Sequence, residues 1–165
     1  MATKEKYLRL GEYLIKEGVI NQPQLEQAIK LQRQEGGRLG EVLIRLGMVK
    51  EDQVVVALGK QLNIPYFSLG SELKPAGEQN LMDLVPKDFA LRNTVLPLSH
   101  HLGSLTVAMF DPLDLILIDN LRKITGCEIN PVIAAKSDIN KAIEKFYGKS
   151  KIFQEAVNAS YETGS

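Results

Sequence analysis

Apolar and polar positions alternate on a helical period in the first 62 residues, and the pattern runs twice. Leu10, Tyr13, Leu14 and Glu17 fall three and four apart, which predicts a helix closed by a left-handed cap at Gly18. Val19 and Ile20 form a short apolar bridge. Asn21 suits an N-cap, and Gln24 three residues on completes a capping-box pattern. The helix it opens carries Leu25, Ala28, Ile29 and Gln32 and stops at Gly36-Gly37. The plan then recurs: Gly47 closes a first helix, Met48 and Val49 bridge, and Val54, Ala57, Leu58 and Gln61 follow. Lys50 stands where Asn21 stood, so the second cap is expected to be weaker or to be supplied by Asp52.

The recurrence has a constant offset of 29 residues. RLGEYLIKEGVINQPQLEQAIKLQ (9–32) aligns without gaps on RLGEVLIRLGMVKEDQVVVALGKQ (38–61), with ten of 24 positions identical. Average amino-acid usage would give roughly one or two. Two copies are too few for a solenoid, so a compact unit with a pseudo-two-fold axis is expected.

Beyond Gln61 the period changes. Leu62 to Phe67 reads as a crossing segment with a turn before Pro65, and residues 68–80 as a polar loop. A short helix is expected from Pro86 through Arg92. Thr94 to Leu98 and Ser104 to Met109 read as strands around a turn at His100 to Gly103. A helix from Pro112 to Lys123, a strand from Glu128 to Ala134, and a helix capped by Ser137 and running through Phe146 complete the pattern. The expected class is α+β: an N-terminal helical tandem repeat of two helix pairs (1–62), packed with a small C-terminal α/β subdomain of about three strands and helices (63–148). Residues 149–165 turn polar and are expected to be a linker or tail.

Composition narrows the function. Lys+Arg and Asp+Glu balance at 20 each, so no global field draws the chain to a nucleic-acid polymer or an anionic membrane; any anion must be held locally. The single cysteine, Cys127, excludes a disulfide framework and a cysteine zinc site, suits a reducing cytosol, and is expected to be a small buried hydrophobe. The charged N-terminus lacks a signal-peptide core, and the best apolar run, Leu113 to Ile118, is broken by Asp114. Direct membrane insertion is therefore not expected, and a cytoplasmic location is. Gly148-Lys149-Ser150 ends like a P-loop, but Ile143 stands where that loop needs its first glycine. No nucleophile–base set is visible; His100 and His101 are expected to be solvated in a turn. The reading is of a binding domain, not an enzyme, with no cofactor and no metal.

The duplicated Arg-Leu-Gly carries the candidate chemistry. Helix starts offer backbone N–H groups and a positive dipole end, which suit phosphate. Gly11 and Gly40 lack a Cβ, which would let a ligand lie against the backbone. Arg9 and Arg38 supply planar forks that can pair with guanine O6/N7, stack on a base or hold a phosphate. Gln32 and Gln61 can hydrogen-bond a base edge, or can tie down helix ends. Two such units suit a ligand with two equivalent halves, as a cyclic dinucleotide has.

The pattern Arg-Leu-Gly-x-x-aliphatic-aliphatic-x-x-Gly-aliphatic-aliphatic-x4-Leu-x3-Leu-x2-Gln, twice with a five-residue spacer, resembles the MshEN-type cyclic di-GMP-binding domain. That domain sits at the N-terminus of type II secretion and type IV pilus assembly ATPases. Ile29 and Val54 replace leucines of the pattern, and Met48 an aliphatic residue. LMDLVPKDFALR (81–92), LTVAMFDPLD (105–114), Ile124-Thr125-Gly126 and Phe146-Tyr147-Gly148 are similar to the family's C-terminal subdomain, a looser signature. The resemblance implies ligand contacts from Arg9, Leu10, Gly11 and Gln32 and from Arg38, Leu39, Gly40 and Gln61. It implies closure over the ligand by Asp111 and Asp114; by itself, Asp111 also reads as a cap for the helix after Pro112. Implied partners are cyclic di-GMP, an ATPase core in cis or in trans, and an inner-membrane assembly platform protein. The competing reading is a docking module that links an assembly ATPase to that platform without binding nucleotide.

Overall fold

The computed structural model describes residues 10–77 and 80–148, and the chain divides into two compact units, residues 1–69 and 70–165. The expected linker or tail at 149–165 lies outside the described residues, as does Arg9.

The first unit is helical. It holds α1 (described from residue 10 to residue 16), α2 (Gln22–Glu35), α3 (Leu39–Arg45) and α4 (Glu51–Leu62). The 29-residue offset persists at the level of single hydrogen bonds. Gly18 N–H donates to Ile15 O at 3.0 Å and Val19 N–H to Leu14 O at 2.9 Å; Gly47 donates to Ile44 O at 2.9 Å and Met48 to Leu43 O at 3.0 Å. Both ends are therefore the same two-bond helix stop. Burial repeats too: Leu10 and Leu39, Leu14 and Leu43, Ile20 and Val49, Leu25 and Val54, and Ala28 and Ala57 are all core residues. The apolar positions at helical spacing thus pack copy on copy, with α2 against α3.

The caps show where the copies differ. Asn21 N–H donates to Gln24 Oε1 and Gln24 N–H donates back to Asn21 Oδ1, both at 2.9 Å. In the second copy only half of the box survives: Lys50 N–H donates to Gln53 Oε1 at 2.8 Å. A lysine side chain has no acceptor to return the bond. Asp52 does not supply one either, because its Oδ1 is buried without a hydrogen-bond partner.

The second unit is α+β. Its sheet has the order β1 (Val95–His101), β2 (Ser104–Met109), β3 (Glu128–Ile133), with β1 and β2 antiparallel and β2 and β3 parallel. Pro97 and Pro131 flank Val107 in register, so both prolines sit on edge strands where a missing N–H costs least. Helices α5 (Leu81–Leu84), α6 (Lys87–Asn93), α7 (Leu115–Thr125) and α8 (Lys136–Tyr147) complete the unit, α8 packing on β1, β2 and α6 and α7 on β3. Tyr147 O–H donates to Val85 O at 2.7 Å and ties α8 to the α5–α6 junction. The segment after Gly70 is held to α8 by Gly70 N–H on Asp138 Oδ2 at 2.9 Å and by the Glu72–Lys145 pair, whose ammonium holds the Glu72 carboxyl below the usual range.

Several boundaries differ from expectation. The β1–β2 turn is only Leu102-Gly103, with φ of +49° and +81°. Positive φ at both turn residues matches the right-handed twist of the strands. His100 therefore lies in β1, with Nε2 3.5 Å from Cys127 Sγ, and not in a solvated turn. Thr94 is the left-handed cap of α6, not a strand residue. Helix α7 starts at Leu115, three residues after Pro112, because Asp114 is its N-cap. Ser137 lies inside α8, whose first ladder bond runs from Ile139 N–H to Ala135 O.

Candidate functional site

Arg38-Leu39-Gly40 opens α3, and in the other copy Leu10 and Gly11 lie in α1; the leucine and glycine of both copies turn inward. Leu10 and Leu39 are 0% and 1% exposed, so only their backbones can meet a ligand. Gly11 and Gly40 are buried as well. A Cβ on Gly11 would lie 2.5 Å from Leu25 Cδ1, and one on Gly40 would lie 2.9 Å from Val54 Cγ1. Leu25 and Val54 are themselves one repeat apart. The glycines thus let each first helix approach its own second helix on the side where a Cβ would stand. Leu10 Cδ2 also comes within 3.9 Å of the Gly40 Cβ position, so Leu10 of α1 reaches the start of α3.

Arg38 is the N-cap of α3, half-buried, in extended backbone (φ −95°, ψ 143°), and its side chain makes no cap hydrogen bond. Its carbonyl accepts the first ladder bond, from Val42 N–H at 2.9 Å. Arg9, its equivalent, lies outside the described residues. Glu12 and Glu41 follow the two glycines, and Glu41 sits in the first turn of α3, so that dipole end already has a carboxylate beside it. A phosphate there would meet like charge.

Gln32 Nε2 donates to Gly37 O at 3.1 Å. Gln61 is half-buried, with its Oε1 sealed from solvent. In the second unit, Asp111 Oδ1 accepts from Leu113 N–H at 2.9 Å, which turns the chain at Asp-Pro, and Asp114 Oδ1 accepts from Leu117 N–H at 3.1 Å. The cap role considered for Asp111 therefore falls to Asp114, and both aspartates have local structural work.

The sequence reading missed one feature of the first unit. A cleft of about 220 Å³ between α1 and α4 is lined by Tyr13, Glu17, Asp52, Gln53 and Lys60 among others. The positions one repeat away from Tyr13, Glu17, Asp52 and Lys60 are Val42, Leu46, Pro23 and Leu31. Those mismatches were the available signal: these four residues have apolar residues as their counterparts in the other copy, whereas Gln53 repeats Gln24. Among the described residues there is no group of three or more potential metal ligands, and no helix is long and apolar enough to cross a membrane.

Comparison with known proteins places this geometry in a family. The MshEN domain model matches residues 62–152, more than half of the chain. The type IV pilus assembly ATPase PilB of Myxococcus xanthus is 34% identical over 142 residues, 86% of this chain and 24% of that protein. PilB of Thermus thermophilus is 30% identical, over 90% of this chain and 20% of that protein. The chain thus spans a quarter or less of these ATPases. A solved structure of MshE with cdg, cyclic di-GMP, superposes with a TM-score of 0.69 at 31% identity, covering 84% of this chain and 98% of that one. The N-terminal domain of XpsE has the same fold, with a TM-score of 0.69 at 21% identity over 84% of this chain and 94% of that one. The matched XpsE region is an N-terminal domain. With a family model over more than half its length and a relative matched almost end to end, the chain belongs to the MshEN domain family of secretion and pilus ATPases.

Proposed function

We propose that this chain is a cyclic di-GMP-binding regulatory domain of a type II secretion or type IV pilus assembly ATPase, or a free-standing relative, and that it does no chemistry itself. The observation that carries the reading is the exact 29-residue recurrence of Arg-Leu-Gly, glycine contact and helix stop in one compact unit. A pseudo-two-fold protein unit fits a ligand with two equal halves. The presence of cyclic di-GMP in the MshE structure supports the ligand's identity.

Arg9 and Arg38 present their forks to the two guanines or phosphates. The backbones of Leu10, Gly11, Leu39 and Gly40 line the floor, and Gln32 and Gln61 complete the two half-sites. Asp111 and Asp114 are the further candidate contacts. The ATPase core, in cis or in trans, is the partner that reads the bound state, in the cytoplasm. The test is a paired calorimetric titration with cyclic di-GMP and cyclic di-AMP. Adenine has an N6 donor where guanine has the O6 acceptor, so each lost arginine contact weakens the adenine ligand by about 1–3 kcal/mol. Equal affinities would remove base reading from the account.

A second reading, docking to an inner-membrane platform protein, draws support from α7. Leu115 and Ile116 are 63% and 75% exposed at its first turn. Replacing both with serine would abolish platform capture in that reading and leave cyclic di-GMP binding intact.

A further inference from the structure

The cleft between α1 and α4 marks a difference between the two copies. Leu14 and Ala57, which line it, repeat as Leu43 and Ala28, and all four are core residues. Four other positions diverge. In the second copy α3 packs on α2, and Val42, Leu46, Pro23 and Leu31 take the repeat positions of Tyr13, Glu17, Asp52 and Lys60. The helix pair is apolar at these positions in one copy. In the other, a phenol, two carboxylates and an ammonium border an open volume of about 220 Å³.

These polar groups do not satisfy one another. Asp52 Oδ1 is buried and has no hydrogen-bond partner. Gln53, beside it, uses its own Oε1 to accept from Lys50 N–H. Among the described residues, no ion pair joins Lys60 to Glu17 or to Asp52. A carboxylate oxygen shut off from water without a donor costs free energy, and a donor arriving from outside recovers that cost. None of the described residues assigned to the cyclic dinucleotide lines this cleft.

The lining selects the donor. With Glu17 and Asp52 against Lys60 alone, the charge at the cleft is negative, which favours a cation. Tyr13 offers an aromatic ring, on which a guanidinium stacks. Val19, Val56 and Ala57 offer apolar surface to a methylene stem. An ammonium is a point charge, whereas a planar fork of N–H groups can serve two carboxylates from different helices together.

We propose that the α1–α4 cleft is a docking site for an arginine side chain presented by a partner protein, with Asp52 and Glu17 as its carboxylates. This site does not depend on the cyclic di-GMP reading. The test is a titration of the isotope-labelled full chain with N-acetyl-arginine amide, followed through amide chemical shifts. The citrulline analogue, which has the same shape and no charge, is the control.

Saturable shifts should fall on residues 13–19 and 52–60. The citrulline probe should bind about tenfold more weakly, because charge-assisted hydrogen bonds become neutral ones. Asp52→Asn should weaken the arginine probe by about tenfold, and Glu17→Gln, at an exposed position, by about threefold. Lys60→Met should tighten it by about two- to threefold, because a like charge leaves the rim. Equal binding of the two probes would overturn the proposal. So would the absence of saturable shifts, shifts scattered over both units, or arginine binding that survives both carboxylate substitutions. If Asp52→Asn does not fold, the opposite signs expected for Glu17→Gln and Lys60→Met decide the question.

Discussion

Gly40 meets Val54 so closely that a Cβ on Gly40 would lie 2.9 Å from Val54 Cγ1, and one repeat earlier Gly11 meets Leu25 in the same way. The α3–α4 and α1–α2 crossings depend on these bare contacts. Gly40→Ala should therefore cost about 1–3 kcal/mol by overpacking. Val54→Ala in the same chain should recover part of that cost, so the pair is non-additive in urea denaturation. Costs that add within about 0.5 kcal/mol would mean that the two residues are not in contact.

The broken cap offers a gain. Lys50 keeps the backbone half of the box that Asn21 completes, in an extended conformation (φ −92°, ψ 155°) that an asparagine N-cap adopts. Lys50→Asn copies the first repeat into the second. It should stabilise the chain by about 0.5–2 kcal/mol, measured as a raised urea midpoint at unchanged slope. A lowered midpoint would mean that the Lys50 side chain has a structural partner worth more than the cap.

These two cases show what the sequence could and could not carry. The repeat was legible because identical residues at a 29-residue offset impose the same periodicity, helix stops and core positions, and the structure has these in both copies. The purpose of Gly11 and Gly40 was legible only in part: a missing Cβ serves a ligand or a neighbouring helix equally well, and the positions of Leu25 and Val54 show the second of these uses. Pro112 was a reasonable helix start by composition, but Asp111 turns the chain and Asp114 takes the cap. His100-His101 looked like a turn because Leu102-Gly103, with a leucine in left-handed backbone, is an unusual pair for the tight hairpin it forms. The family match falls on residues 62–152, where the resemblance by short motif was the looser one.

In the second unit, Tyr147 is buried, its hydroxyl bonds Val85 O, and burial pushes its phenol well above the ordinary tyrosine range. Tyr147→Phe should cost about 1–3 kcal/mol, because it leaves that buried carbonyl without its donor. The pH dependence has a definite sign. A phenol raised in the folded state contributes stability that is complete below the unfolded value, about 10, and is lost as pH climbs above it. The parent chain should therefore lose stability faster than Tyr147→Phe between about pH 9 and 11. Parallel profiles would contradict the burial effect.

Arg38→Ala should weaken cyclic di-GMP binding and barely move the melting temperature, since truncating a cap residue that makes no side-chain cap bond leaves no core cavity. Arg9→Ala should do the same from the other half-site. Lysine at either position should restore little, because the planar fork and its stacking are lost even though the charge is kept. Full rescue by lysine would reduce the arginines to point charges. Unfolding of either alanine variant would make them structural residues.

The central claim is that two copies of one motif hold one two-fold ligand, and stoichiometry tests it most directly. Isothermal titration of the chain with cyclic di-GMP should give one ligand per chain. A saturating ligand should also raise the melting temperature, because it binds the folded state alone. Two ligands per chain would make the copies independent sites, and no heat with no thermal shift would remove the ligand from the account and leave the docking reading in its place.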